Sequence, residues 1–281
     1  MTDRLRPLWD FEDLDASELR FRDVLAAERD GGRRAELLTQ LARVEGLRGD
    51  FDAGERLLEE AAREGASNAA RIRIDLERGR LRRSSGDPDA ALPLFEAAFA
   101  GAAAAGEGFL AGDAAHMAAL AAPHRAARAS WTERGIALAE SDDAARYWVG
   151  PLLNNLGWEL YEAGEHDAAL DTFERALAAR ERDPENPAAI AIARYAVAKT
   201  LRVLGRAEEG LDHIERAVAA DESDGWFHEE LAETHAVLGR ADEVAGHARR
   251  ALELLPEADA SFASDDARKS RLQELANASR G

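Results

Sequence analysis

The sequence contains no cysteine and only two lysines among its 281 residues. The lack of cysteine excludes disulfide bonds, zinc–thiolate and iron–sulfur sites, and a cysteine nucleophile. No apolar run approaches the roughly 18–20 residues that a membrane-spanning helix needs. The first residues also lack the apolar core of a secretory signal. Together these absences favour a cytoplasmic protein.

Aromatic residues are also scarce, and the net charge is strongly negative. Aromatic side chains make up 6% of the residues, although 46% of the residues are hydrophobic, many of them alanine. This composition suits thin packing of helix on helix better than one thick core. The formal net charge is −19, which would repel phosphate backbones and anionic lipid. Nucleic acid and membranes are therefore not expected as partners.

Five glycines recur along the chain with the same kinds of neighbour at fixed offsets. They are Gly49, Gly86, Gly164, Gly205 and Gly239. The residue seven positions before each glycine is small: Ala42, Gly79, Gly157, Ala198 and Ala232. Nine positions after the glycines stand Leu58, Phe95, Phe173, Ile214 and Ala248, and twelve positions after them stand Ala61, Ala98, Ala176, Ala217 and Ala251. The pattern predicts pairs of helices folded back on each other at a left-handed glycine.

The stretch from Leu153 to Ala179 is the clearest of these pairs. Its apolar residues fall on one face of each predicted helix. Gly157 lies inside the first helix, where glycine costs roughly 1 kcal/mol relative to alanine. We expect Gly157 to be there because the partner helix, through Phe173, approaches closely at that point.

These helix pairs resemble the tetratricopeptide repeat. The resemblance covers about residues 33–256 and implies an all-α, right-handed superhelical solenoid of about six antiparallel helix pairs. It predicts a repeat array at 33–256, between an N-terminal segment with a capping half-repeat at 1–32 and a C-terminal capping helix at 257–281. Asp15 or Ser17 is expected to cap the first helix. In one unit Pro123 replaces the turn glycine, which leaves the register of that unit open.

Beside the core face of each first helix, the resemblance predicts a stripe that lines a concave groove for extended peptides or partner helices. The stripe lies three, six and ten positions before the turn glycines. Its predicted binding residues are Arg43, Arg80, Arg83, Asn154, Trp158, Tyr161, Tyr195, Lys199 and Arg202. Arginine can grip a carboxylate with two hydrogen bonds, and aromatic residues are common binding anchors. The set matches only parts of the carboxylate clamp of chaperone-binding relatives.

No catalytic motif is present, and neither a cofactor nor a metal is expected. His228 and His235 share a helix face, which is compatible with a metal site. Solvated polar residues on a repeat helix are the simpler interpretation. The Trp9 and Phe11 pair near the N-terminus either packs on the first helix or forms a docking site.

Three functions follow from these patterns. The first is a non-catalytic scaffold that binds a peptide, tail or partner protein in the groove, with an acidic or carboxylate-ended partner. The second is a regulatory sensor that binds a small peptide or metabolite there. The third, from another class, is a divergent metal-dependent enzyme. The sequence leaves the partner's identity and any homo-oligomer open.

Overall fold

The computed structural model describes residues 3–11, 13–64, 67–182, 184 and 186–277, which form an all-α fold. The described residues contain fourteen α-helices, three short 3₁₀-helices and no strand. The α-helices are α1 (Leu14–Ala27), α2 (Gly31–Arg48), α3 (Phe51–Glu64), α4 (Asn68–Ser84), α5 (Pro88–Ala105), α6 (Gly108–Ala121), α7 (Arg125–Ser141), α8 (Val149–Glu162), α9 (His166–Arg180), α10 (Pro187–Val203), α11 (Ala207–Ala220), α12 (Gly225–Val237), α13 (Ala241–Ala258) and α14 (Asp266–Asn277). The predicted all-α architecture of helix pairs is confirmed.

The chain divides into two compact units, Met1–Leu152 and Leu153–Gly281, and the division falls inside α8. The predicted division into 1–32, 33–256 and 257–281 stays a prediction, and residues 1, 2, 12 and 278–281 of its end segments lie outside the described residues. None of the helices in the described ranges combines the length and the apolar character that crossing a membrane would require.

The turn glycines lie where the sequence predicts, each in the left-handed region of backbone space. Their φ values are 84° at Gly49, 92° at Gly86, 77° at Gly164, 75° at Gly205 and 70° at Gly239. At Gly164, the glycine N–H donates to the carbonyl of Tyr161 and the next N–H donates to that of Leu160, which closes the preceding helix. Gly106 has the same conformation, with φ of 71°, between two repeat units where the sequence pattern does not predict it.

In two of the pairs, a glycine of the first helix lies directly against a phenylalanine ring of the second. A Cβ atom added to Gly79 would lie 2.5 Å from Cε1 of Phe95, and one added to Gly157 would lie 2.4 Å from Cε1 of Phe173. All residues nine and twelve positions after the turn glycines are at most 1% exposed. The helix contacts predicted from the offsets are therefore confirmed.

The unit around Pro123 keeps the register without a left-handed glycine. Ala122 is extended after α6, and the Nδ1 atom of His124 accepts a hydrogen bond of 3.1 Å from the Ala127 N–H at the start of α7. Thr132 and Gly135, nine and twelve positions after Pro123, are buried. A 3₁₀-helix, Asp143–Trp148, then extends this unit before α8 begins.

The predicted caps of the first helix are wrong. Asp13 caps α1 by accepting a hydrogen bond of 2.9 Å from the Ala16 N–H. Ser17 is fully buried, and its hydroxyl donates to the Asp10 carbonyl at 2.8 Å. At the other end, Leu272 of α14 packs in the same buried cluster as Leu255 of α13.

Candidate functional site

The nine residues of the predicted binding stripe are all half-buried. Three of them, Arg43, Arg80 and Arg83, lie on α2 and α4 of the first unit. The others lie on α8 and α10 of the second unit: Asn154, Trp158, Tyr161, Tyr195, Lys199 and Arg202.

In the first unit, Arg80 is held by two buried carboxylates of the same unit. Its guanidinium donates to Glu77 of α4 at 2.5 Å and to Asp113 of α6. Glu77 is 2% exposed, and its second oxygen has no hydrogen-bond partner among the described residues. Burial raises the pKa of Glu77 above its ordinary value, although Arg80 opposes this shift. The charge of Arg80 is therefore already balanced inside the unit.

Arg43 and Arg83 differ from Arg80, because no carboxylate lies within 4.0 Å of either in the described part of the chain. The Arg43 guanidinium lies 5.4 Å from the ring centres of both Trp9 and Phe11, within the range of cation–π attraction. Burial lowers the pKa of Arg43, and Arg80 nearby lowers it further. Arg83 donates only a long hydrogen bond, 3.4 Å, to the Leu120 carbonyl.

In the second unit, four aromatic rings of the stripe and its core pack together. Trp158 lies 5.4 Å from Tyr161, 5.0 Å from Phe173 and 6.1 Å from Tyr195 between ring centres. The first two contacts are edge-to-face, an arrangement that the ring quadrupoles favour. Trp158 therefore both contacts the core and forms part of the exposed stripe.

Lys199 lies beside these rings, and no carboxylate lies within 4.0 Å of its ammonium among the described residues. Its Nζ atom donates to the Tyr195 hydroxyl at 2.9 Å and lies 5.2 Å from the centre of that ring. Burial raises the pKa of Tyr195 well above its ordinary value. Tyr195 is therefore a neutral phenol at pH 7, which accepts from Lys199 and still has one proton to donate.

Arg202, by contrast, is paired within the unit. It donates two hydrogen bonds, of 2.5 and 2.9 Å, to the carboxylate of Glu230 on α12. Burial alone would lower the pKa of Arg202, but the bonds to Glu230 raise it above its ordinary value. Glu230 is 1% exposed, so this ion pair belongs to the packing of α10 on α12.

A pocket of about 580 Å³ opens beside Lys199 in the second unit. It is lined by Trp158, Ile192, Tyr195, Lys199, Asp224, Trp226, Phe227 and Arg268. The walls are mainly aromatic. Asp224 accepts hydrogen bonds from the first N–H groups of α12, and Arg268 of α14 binds Glu229 and Asp259. Lys199 is therefore the cation of the pocket that has no carboxylate partner in the described ranges.

Two lining residues, Ile192 and Trp226, were not predicted, although a sequence signal for them exists. Each lies thirteen positions before a turn glycine, Gly205 and Gly239 respectively. The predicted stripe stops ten positions before the glycine, and one more helical step of three residues reaches both. In the first unit the same step reaches Glu36 and Arg73.

Asn154 has an unpartnered acceptor. Its Oδ1 atom is buried and accepts no hydrogen bond from the described residues. A buried amide oxygen without a donor costs stability. Its position on α8, four residues before Trp158, puts both residues on one helix face.

His228 and His235 are buried, so the simpler sequence interpretation, which took them as solvated side chains, is wrong. His228 and His235 of α12 are 6% and 2% exposed, and His247 of α13 stacks on both. His228 and His247 approach to 2.9 Å through their Nδ1 atoms. In the described part of the chain, no three histidine, aspartate or glutamate residues form a group that could hold a metal ion.

Comparisons with known proteins agree with this architecture. The tetratricopeptide repeat family model matches residues 35–60 and 151–175. The first match covers most of α2 and α3, and the second covers most of α8 and α9. No curated protein sequence matches the chain closely.

Solved structures with a similar fold share little sequence with this chain. BtubC (BKLC) from P. vanneervenii is 18% identical, with a TM-score of 0.59 over 79% of this chain and 92% of that one. A STAND signal transduction ATPase with a tetratricopeptide repeat sensor, from Pyrococcus horikoshii, is 13% identical, with a TM-score of 0.67 over 92% of this chain but 42% of that one. The quorum sensor NprR from B. thuringiensis is 13% identical, with a TM-score of 0.58 over 94% and 83% of the two chains.

At these identities the structural likeness concerns the fold. The two matched segments and the repeated glycine turns indicate the same type of repeat from the sequence. The chain therefore contains tetratricopeptide repeats, at residues 35–60 and 151–175 by the family model, within an all-α fold similar to that of tetratricopeptide repeat proteins.

Proposed function

We propose that this chain is a non-catalytic interaction protein that binds an acidic or carboxylate-ended peptide, tail or partner protein. In the second unit the binding site is the pocket beside Lys199. One observation carries this proposal: Lys199 is half-buried among aromatic rings with no carboxylate of the described residues near it. The attraction between such a cation and an incoming carboxylate is stronger than in bulk water, because the rings reduce the contact of the ammonium with water.

The other residues of the site supply complementary chemistry. A carboxylate bound to Lys199 can also accept a hydrogen bond from the Tyr195 hydroxyl. Charge-assisted hydrogen bonds of this kind are stronger than those between neutral groups. Trp158 and Trp226 offer apolar surface for a side chain next to that carboxylate. Asn154, four residues before Trp158 on α8, remains a proposed contact. In the first unit, Arg43 and Arg83 remain the proposed contacts, since Arg80 is already paired.

Matched peptides test this proposal directly. We would select decapeptides from a displayed random library on the purified protein, and synthesise each selected peptide as a free acid and as a C-terminal amide. We expect Lys199→Met to weaken binding of acidic or free-acid peptides at least tenfold, and rising salt to weaken it further. Arg175→Met, on the exposed face of α9, is the matched control. Equal binding to the Lys199→Met protein would contradict the proposal.

A second candidate is a regulatory sensor that takes a small peptide or metabolite in the same pocket. The pocket volume of about 580 Å³ falls within the roughly 300–1,000 Å³ of small-molecule sites. Two of the structures with a similar fold are called sensors. Calorimetric titration with free amino acids and tripeptides separates the candidates, because a sensor would bind these short ligands as tightly as it binds the decapeptides.

A further inference from the structure

Residues 3–11 lie against helices α2 and α4 of the first unit. Leu5 is 2% exposed and belongs to the same buried cluster as Leu38 of α2 and Ile74 of α4. Trp9 packs edge-to-face on Phe21 of α1, at 5.1 Å between ring centres. This segment therefore fills an apolar surface that the first helix pairs would otherwise present to solvent.

Two ion pairs of the segment lie on the binding stripe of the first unit when the stripe is extended by one helical step, whereas the backbone of Asp10 is hydrogen-bonded to Ser17 of α1. Asp3 binds Arg73 at 2.6 Å, and Arg4 binds Glu36 at 3.0 Å. Glu36 and Arg73 each lie thirteen positions before a turn glycine. This is the offset at which Ile192 and Trp226 line the pocket of the second unit.

The indole of Trp9 makes the next contacts along the same surface. Its Nε1 atom donates to Gln40 at 2.9 Å, and its ring lies 5.4 Å from the Arg43 guanidinium. Arg43 lies six positions before Gly49, the offset at which Trp158 and Lys199 stand before their own turn glycines. Residues 3–11 thus lie on the stripe as a bound peptide would.

Side chains, not backbone pairing, join this segment to α2 and α4. The backbone hydrogen bonds of residues 5–9 lie within the segment, as from Leu8 to Leu5, except that the Leu8 carbonyl accepts a long one, 3.4 Å, from Arg20 of α1. No backbone hydrogen bond joins the segment to α2 or α4 in the described ranges. Another peptide with the same side chains at the same spacing can therefore make the same contacts.

We propose that this face of α2 and α4 is a peptide-binding surface, occupied here by the chain's own residues 3–11. Its partner is a protein segment with an acidic residue two positions before a leucine and a tryptophan four positions after that leucine. The acidic residue takes the place of Asp3 on Arg73, the leucine that of Leu5 and the tryptophan that of Trp9. The partner binds by displacing residues 3–11.

The surface has the charges that this partner requires. Arg73 is 5% exposed and lies between Asp3 and Glu36, so an empty site would leave it with one carboxylate. The ion pairs of Asp3 and Arg4 border an open pocket of about 440 Å³, which is lined further by Phe109 and Ala144. A competing segment can therefore reach Arg73 from the open side of the surface.

Tethering explains why the surface needs a strong competitor. A segment joined by a short linker competes at an effective concentration in about the millimolar range. Removing it should therefore strengthen binding of a free peptide by at least about tenfold, in proportion to the fraction of sites that becomes available. This surface belongs to the first unit, so its test does not depend on the pocket of the second unit.

The test uses a fluorescein-labelled peptide with the sequence of residues 3–11, acetylated at its N-terminus. We would measure its binding to the full chain, to a chain lacking residues 1–11, and to a full-length Leu5→Ala variant. We expect binding to both altered proteins that is at least tenfold tighter than to the full chain. If the shortened chain fails to fold, the comparison of peptide binding between the Leu5→Ala variant and the full chain tests the proposal.

Two further variants localise the binding. In the shortened chain, or in the Leu5→Ala chain, Arg73→Gln should weaken binding of the peptide at least tenfold. Replacing the peptide's aspartate by asparagine should weaken binding by a similar factor. Arg56→Gln, on the exposed side of α3, should change nothing. Equal binding to the full and altered chains, or no binding to helical altered chains, would overturn the proposal.

Discussion

Gly157 of α8 lies directly against the ring of Phe173 of α9, so that an added Cβ atom would lie 2.4 Å from Cε1 and 2.6 Å from Cδ1 of that ring. Phe173 is fully buried and cannot move away without disturbing its own packing. Glycine is thus required at position 157 by the distance between two helices.

Replacing Gly157 by leucine should therefore destabilise the second unit. Overpacking a helix contact commonly costs roughly 1–3 kcal/mol, and here the side chain must displace a buried ring. We expect a lower midpoint in thermal and urea unfolding, with Phe173→Leu in the same chain restoring part of the loss.

Gly246 provides a matched control for this substitution. It lies inside α13, where an added Cβ atom would meet nothing within 4 Å. Gly246→Ala should stabilise the protein by up to about 1 kcal/mol through helix propensity alone. An unchanged unfolding midpoint for Gly157→Leu would mean that the two helices do not touch at that residue.

The helix pairs could be predicted because their determinants repeat. A left-handed turn requires glycine, and a close helix crossing requires a small residue opposite a large one. Both requirements return at fixed offsets, as in Gly79 with Phe95 and Gly157 with Phe173. Even the unit of Pro123 could be placed to within a residue or two.

The charge pairing of the stripe could not be predicted. Arg202 pairs with Glu230, 28 residues away in the sequence, and Arg80 pairs with Asp113, 33 residues away. With 55 acidic residues in the chain, periodicity does not indicate which carboxylate faces which arginine. Periodicity therefore predicts five cations on the stripe, but only the packed helices show that Arg80 and Arg202 are the paired ones.

Reversing the charges of Arg80 and Arg202 should destabilise the protein rather than act on binding alone. Each reversal would place another negative group beside a buried carboxylate, since Glu77 and Glu230 are only 2% and 1% exposed. Breaking a buried ion pair commonly costs about 3–5 kcal/mol.

Circular dichroism during thermal unfolding measures this loss for Arg80→Glu and Arg202→Glu separately. Arg175→Glu and Arg250→Glu are the controls, because both side chains are roughly half exposed and face solvent. Surface changes of this kind usually stay within about 0.5 kcal/mol. If the buried and exposed reversals melted alike, the two ion pairs would contribute nothing to stability.

The C-terminal helix should be needed for a monomeric protein. Leu272 and Leu275 of α14 are buried with Leu255 and Phe262, so deleting residues 260–281 exposes apolar surface on α13. Terminal repeats need a polar outer face, and we expect the shortened protein to melt earlier and to self-associate. Size-exclusion chromatography with light scattering would measure this. A monomer of unchanged stability would show that α14 is a detached tail.

A milder substitution separates packing from simple shortening of the chain. Leu272→Ala removes buried side-chain atoms without removing the helix, and such changes commonly cost about 2–5 kcal/mol. Arg268 holds α14 to Glu229 and Asp259 by ion pairs, so the helix should remain attached. The variant should therefore lose stability and remain monomeric, unlike the deletion.

Buried histidines should make the second unit sensitive to mild acid. Burial lowers the pKa of His235, and Arg240 also lowers it while Glu243 opposes. Burial likewise lowers the pKa of His247, together with His228 and His235. Since the imidazole pKa in an unfolded chain is about 6.5, the unfolded state binds more protons than the folded state as the pH falls through that value. Stability contributed by the neutral rings is then lost.

We therefore expect a lower urea midpoint at pH 5.5 than at pH 7.5. The difference should shrink in His235→Gln and His247→Gln, because a glutamine does not take up a proton in the unfolded state. Carboxylates with a lowered pKa, such as Asp259 at about 2, titrate well below this window and do not contribute to it. His124→Asn is the control, since His124 is exposed and asparagine keeps its capping role. A pH dependence that survives both glutamine variants would assign the acid sensitivity to other groups.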